Sequence, residues 1–186
     1  MNKLIVWTFA AAATALLAAP ARAQIPTVTP FAFEVRGGVA IPTGDFNDVA
    51  DLGYTLSGNA TLYFMPQVGI YGGYHFARFG HTGTGHFNET GPEVGLRLDI
   101  PTPTTRIDPY LKAGVVWNNL ELSGAGASDF SSSSTGFQFN AGVAFSLGRV
   151  SLTPGLTYVT YKYDSATADD QTASYIRADL GLRFRI

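Results

Sequence analysis

The chain has 186 residues, 46% hydrophobic and 13% aromatic, with 21 glycines, no cysteine and a formal charge of −2. Without cysteine, an exported chain must hold together without disulfides. The charge balance is too acidic for a nucleic-acid binder, and charged residues at 14% are sparse for a soluble surface.

Residues 1–23 read as a secretory signal peptide: Lys3 gives the basic start, Leu4 to Ala19 the apolar run, and Ala21-Arg22-Ala23 the cleavage site before Gln24. Its removal takes away Lys3 and Arg22 and leaves a mature charge of −4, with two lysines. No later stretch approaches the roughly 18 apolar residues of a spanning helix. Residues 24–30 form a Pro-rich lead, and residues 31–186 are predicted to be one β-barrel domain.

Eight segments then alternate with the side-chain period of a strand. In the first, Phe31 to Ile41, Phe33, Val35, Val39 and Ile41 oppose Glu34, Arg36, Gly38 and Ala40. A long polar loop, PTGDFNDVADL, leads to the second, Gly53 to Phe64, where Tyr54, Leu56, Ala60 and Leu62 oppose Thr55, Ser57, Asn59 and Thr61. Met65-Pro66-Gln67 is a tight turn. The third, Val68 to Phe79, sets Ile70, Tyr74 and Phe76 against Tyr71, Gly73 and His75, and loop GHTGTGHFNET follows. In the fourth, Val94, Leu96, Leu98 and Ile100 oppose Glu93, Gly95, Arg97 and Asp99, before the short turn PTPTTR.

The fifth, Ile107 to Leu122, places Leu111, Ala113, Val115 and Trp117 opposite Asp108, Tyr110, Lys112, Gly114 and Asn118. Loop SGAGASDFSSSS precedes the sixth, where Phe137, Phe139, Val143 and Phe145 oppose Gln138, Asn140, Gly142 and Ser146. Gly148-Arg149 is a two-residue hairpin turn. In the seventh, Leu152, Pro154, Leu156 and Tyr158 oppose Thr153, Gly155, Thr157 and Tyr161, and residues 163–172 form the last loop. The eighth alternates without a break: Ile176, Ala178, Leu180, Leu182, Phe184 and Ile186 against Arg177, Asp179, Gly181, Arg183 and Arg185. Long and short connections alternate, so an up-and-down barrel gathers every long loop at one end, as in small outer-membrane barrels.

Alternation alone also suits a soluble lipocalin-like barrel with its apolar face inward. Three features favour the inverse arrangement. The polar face carries charges of both signs: Glu34, Arg36, Glu93, Arg97, Asp99, Asp108, Lys112, Arg177, Asp179, Arg183 and Arg185. It is also dense in small residues, which suits a narrow interior. The apolar face has no charge in mid-strand; Arg78, Glu121 and Lys162 share its parity only near the loops. A cation at the bilayer midplane would cost about 2–4 kcal/mol. Tyr54, Trp117, Tyr158 and Phe76 toward the loops, with Phe64 and Phe184 toward the turns, read as two aromatic girdles. Pro109 and Pro154 fall inside segments and are expected at strand ends or bulges.

The sequences GGVAIPTGDF, DPYLKAG, FNAGVAF and DLGLRFRI resemble the eight-stranded outer-membrane β-barrel domain family, the OmpA/OmpX-like group of Gram-negative envelopes. The resemblance implies an all-β, antiparallel, transmembrane barrel located in the outer membrane, with no room for a peptidoglycan-binding domain. It also implies that the ending serves as a C-terminal assembly signal for the barrel-insertion machinery. Asp179, Gly181 and Phe184 match that signal, and Ile186 stands where the family usually carries Phe.

The lumen charges read as a plug of paired groups, so the expected role is structural or in surface interaction through acidic loops; a small porin-like channel is the alternative. His81, His86 and Glu89 are read as solvated loop residues rather than a metal site, and His75 as an interior histidine. Ser131 to Ser134 and Asp129 have the residue types of an enzyme but no fixed nucleophile motif, and no catalytic activity is expected. Asp45, Asp48, Asp51, Glu89, Asp129, Asp164, Asp169 and Asp170 make the loops acidic. The expected partners are outer-membrane lipid and lipopolysaccharide for a monomeric barrel, with no cofactor.

Overall fold

A computed structural model describes residues 31–81, 85–103, 106–123, 130–165 and 168–186. The predicted signal peptide and the lead lie outside these residues. Eight strands form: β1 (Phe31–Thr43), β2 (Ala50–Tyr63), β3 (Val68–His81), β4 (His86–Asp99), β5 (Ile107–Ser123), β6 (Phe130–Leu147), β7 (Val150–Ser165) and β8 (Ala168–Arg185). Each pairs antiparallel with its sequence neighbours, and β1 pairs with β8, from Ala32↔Arg185 to Thr43↔Ser174, so the sheet is a closed barrel. Closure leaves no edge strand, which lets a sheet sit in hydrocarbon with its backbone groups paired.

The alternation seen in the sequence decides which side chains the wall hides. β1 alternates exposed and buried residues nearly throughout. Leu56 is 56% exposed and Phe139 52%, whereas Arg97 on the opposite face is fully buried. Leu, Val and Phe therefore cover the outside and the charged residues fill the inside. The lipocalin-like alternative requires the reverse. Of the girdle residues, Tyr54, Trp117, Tyr158, Phe64 and Phe184 are exposed on the outer wall, and Phe76 is half-buried there, 6.0 Å from the Tyr54 ring.

The predicted loops are too long. β2 already starts at Ala50, β4 at His86, and β6 at Phe130, while β7 and β8 together reach from Val150 to Arg185 around residues 166–167. Polar side chains disguise these extensions, but the ladder continues past the apolar band because pairing satisfies each backbone group. In the first loop, Gly44–Asp48 form a 3-10 turn whose Phe46 is buried.

The prolines sit where a missing N–H is harmless. Pro109 lies beyond the last β4–β5 pair, Asp99↔Tyr110. Pro154 occupies a gap in the β6–β7 ladder, which passes from Gly142↔Gly155 to Phe145↔Leu152. A second gap, unpredicted, surrounds Pro92, where the β4–β5 ladder passes from Thr90↔Asn119 to Glu93↔Val116. Gly148 takes φ +80° in the β6–β7 turn, a backbone conformation that glycine adopts without steric cost.

Candidate functional site: the filled lumen

The inward positions of the eight strands build three layers. The layer nearest the turns centres on Arg36 of β1. Its guanidinium meets Glu34 at 2.6 Å, donates from Nε to Asp179 Oδ1 at 2.7 Å, and donates to Tyr110 Oη at 2.9 Å. A second nitrogen of Arg36 donates to the same Asp179 oxygen. Glu34 also receives Thr153 Oγ1 at 2.7 Å, Arg97 Nη1 at 3.2 Å and Lys112 Nζ at 3.6 Å. Arg97 Nε reaches Asp99 at 2.8 Å, and Arg183 Nη2 reaches the other oxygen of Asp99 at 3.3 Å. Tyr63 donates to Asp99 at 2.7 Å and accepts from Arg183. Aromatic faces cover the cations: Arg97 lies 4.1 Å from the Tyr110 ring centroid, and Lys112 4.3 Å from that of Tyr71.

The middle layer is an amide-bridged set. Gln138 donates to Glu93 at 2.8 Å and to Tyr71 at 2.9 Å, and accepts from Arg177 at 2.9 Å. The cavity at this level, between Arg36, Lys112, Glu93 and Arg177, leaves about 10 Å³ for the centre of a water-sized sphere, enough for a single water at most.

The layer below the loops was not foreseen. Glu89 is an inward residue of β4, fully buried, and not a solvated loop acid as expected. It accepts from Tyr161 at 2.7 Å and Tyr175 at 2.6 Å and lies 3.2 Å from His75 Nε2. His75 is thus an interior histidine, while His86 sits on the opposite face of β4 from Glu89 and is half-buried. Above them Phe46 packs edge-on against Phe79 at 5.2 Å between centroids and against Phe87 at 6.0 Å. Phe79 in turn meets Tyr175 at 5.1 Å, and Ala77, Val116, Leu120 and Val159 complete an apolar plug.

Two members of the predicted charge set stand apart. Asp108 and Arg185 are half-buried at the turn end and make no ion pair among the described residues. With Glu89 added, the buried ionic groups are five cations (Arg36, Arg97, Lys112, Arg177, Arg183) and five carboxylates (Glu34, Glu89, Glu93, Asp99, Asp179). Period-two counting carried back from Asp99 to Phe87 would have found Glu89. The plug residue Phe46 lies outside any strand and left no periodic signal.

The four residues of the expected assembly signal take separate positions. Asp179 is buried against Arg36, and Phe184 faces outward. Ile186 is 72% exposed, and its backbone N donates to Phe31 O at 3.1 Å. A methyl group on Gly181 would come within 3.0 Å of Arg36 Cγ and 3.1 Å of Glu34 Oε1. Of the loop acids, Asp45, Asp48 and Asp51 are exposed, and Asp129 lies outside the described residues.

Comparison with known proteins agrees with this architecture. The structure is similar to that of Neisserial surface protein A, with TM-score 0.66 and 17% identity over 84% of this chain and 97% of that one. It is also similar to the N-terminal β-barrel domain of Pseudomonas aeruginosa OprF, with TM-score 0.55 and 15% identity over 83% of this chain and 97% of that one. No curated protein matches the chain in sequence. The profile of the outer membrane protein beta-barrel domain family matches residues 9–184. A closed eight-stranded barrel, apolar outside and ion-paired inside, carries that match, and the chain therefore belongs to the outer membrane protein beta-barrel domain family and resides in the outer membrane.

Proposed function

We propose that the protein is a non-conducting outer-membrane barrel whose role is structural or lies in surface interaction through the exposed segments at its loop end. The observation that carries this reading is the lumen, filled from the turn end to the plug by hydrogen-bonded charges and then by aromatic rings packed edge to face. Solutes would have to break buried ion pairs, each costing several kcal/mol to separate, and then displace a packed apolar layer. The loop end instead presents Asp45, Asp48 and Asp51 to the outside.

The outer wall is complementary to lipid, and its exposed aromatics near both rims suit the membrane–water boundaries, where lipopolysaccharide is the partner on the outer side. The C-terminal strand is the segment the barrel-insertion machinery would read. Planar-bilayer recording tests the proposal. Purified protein should insert without stable conductance; large, reproducible open-channel currents would establish the porin-like alternative instead.

A further inference from the structure

The ion pairs nearest the turns do not balance. Contacts within 4 Å connect four cations (Arg36, Lys112, Arg97, Arg183) to three carboxylates (Glu34, Asp179, Asp99). The shortage is greatest at Asp99, which serves Arg97 with one oxygen and Arg183 with the other. The remaining buried carboxylates, Glu89 and Glu93, belong to the layers above, where they bond His75, Tyr161, Tyr175 and Gln138. Among the described residues Asp99 is the one carboxylate within 4 Å of Arg183, and it is shared with Arg97.

A second observation is independent of charge counting. Arg97 and Arg183 are 0% and 1% exposed, yet Arg97 Nη2, Arg183 Nε and Arg183 Nη1 have no acceptor in the protein. The Tyr63 ring lies 5.2 Å from the Arg183 guanidinium carbon, and the Tyr110 ring covers Arg97. A ring satisfies the face of a guanidinium, whereas its N–H groups point outward in the plane and need acceptors there. Leaving an ionised donor buried and unbonded costs more than leaving a neutral one.

We infer that Arg97 and Arg183 hold a small monoatomic anion of halide size at the turn end of the lumen. Such an ion supplies both missing quantities, a unit of negative charge and an acceptor that takes several N–H bonds from any direction. The ion would act as a structural counterion for the barrel's lower rim.

Crystals of the full folded chain grown from sodium bromide, with diffraction recorded at the bromine edge, test the assignment. The expected result is an anomalous peak within hydrogen-bonding reach of Arg183 Nε or Nη1. Ordered water at that point without anomalous signal overturns it. In solution, chlorine NMR should show excess line broadening with the folded barrel, falling to the unfolded-chain level in Arg183→Gln. Broadening unchanged in that variant also overturns the assignment, and should the variant fail to fold, the bromide crystals of the unmodified protein decide.

Discussion

Arg36 ties β1 to β5, β7 and β8 through Tyr110, Thr153 and Asp179, and the neighbouring inward positions must make room for it. Gly181 is the clearest case. A Cβ there would press on Arg36, Glu34 and Thr153, so Gly181→Ala should cost about 1–3 kcal/mol by overpacking, read from the urea midpoint of refolded protein. A residue matched to an assembly signal is therefore also constrained by the finished barrel. Glu89 tests the upper layer. Glu89→Leu leaves two tyrosine hydroxyls and a histidine nitrogen without their acceptor, a loss on the order of 3 kcal/mol. Glu89→Gln keeps an acceptor oxygen and should lose only about 1 kcal/mol in the same unfolding experiment.

Among the elements, the first loop differs most from its sequence reading. Its 3-10 turn inserts Phe46 between Phe79 and Phe87 and so covers the barrel mouth. Phe46→Ala should release this cover locally. Amides of residues 43–50 should exchange with solvent markedly faster, while those of the turn-end strands stay protected and conductance stays absent. Faster exchange throughout the barrel would show instead that the plug supports the whole fold. The strands themselves were readable because one face is purely apolar; Val94, Leu96 and Leu98 against Glu93, Arg97 and Asp99 leave a single choice of register. Glu89 and Ser132 were harder to read as strand residues because above the bilayer the outer face no longer needs to be apolar; only the inward parity, carried back from Asp99, reaches Glu89. The ladder gaps at Pro92 and Pro154 depend on cross-strand pairing, which a single sequence does not display.

For the molecule as a whole, the wall is a solvent boundary with position-dependent tolerance. Leu56→Arg, midway along β2, should cost about 2–4 kcal/mol, whereas Tyr54→Arg near the loop end should cost about 0–1 kcal/mol. Folding titrations in bilayer vesicles would measure both; equal costs at the two depths would contradict the assigned membrane position.

The β1–β8 seam carries one more consequence. Arg36 and Asp179, which clasp it, are 143 residues apart in the chain. As the barrel assembles, the first strand keeps one edge bare until the last is in place, because no other partner completes its ladder. The incomplete molecule is a sticky curved ribbon, prone to pair with another of its kind. Escort across the aqueous compartment matters most during that interval, and mutations in β8 should reduce the yield of inserted protein more than mutations of equal thermodynamic cost in β4.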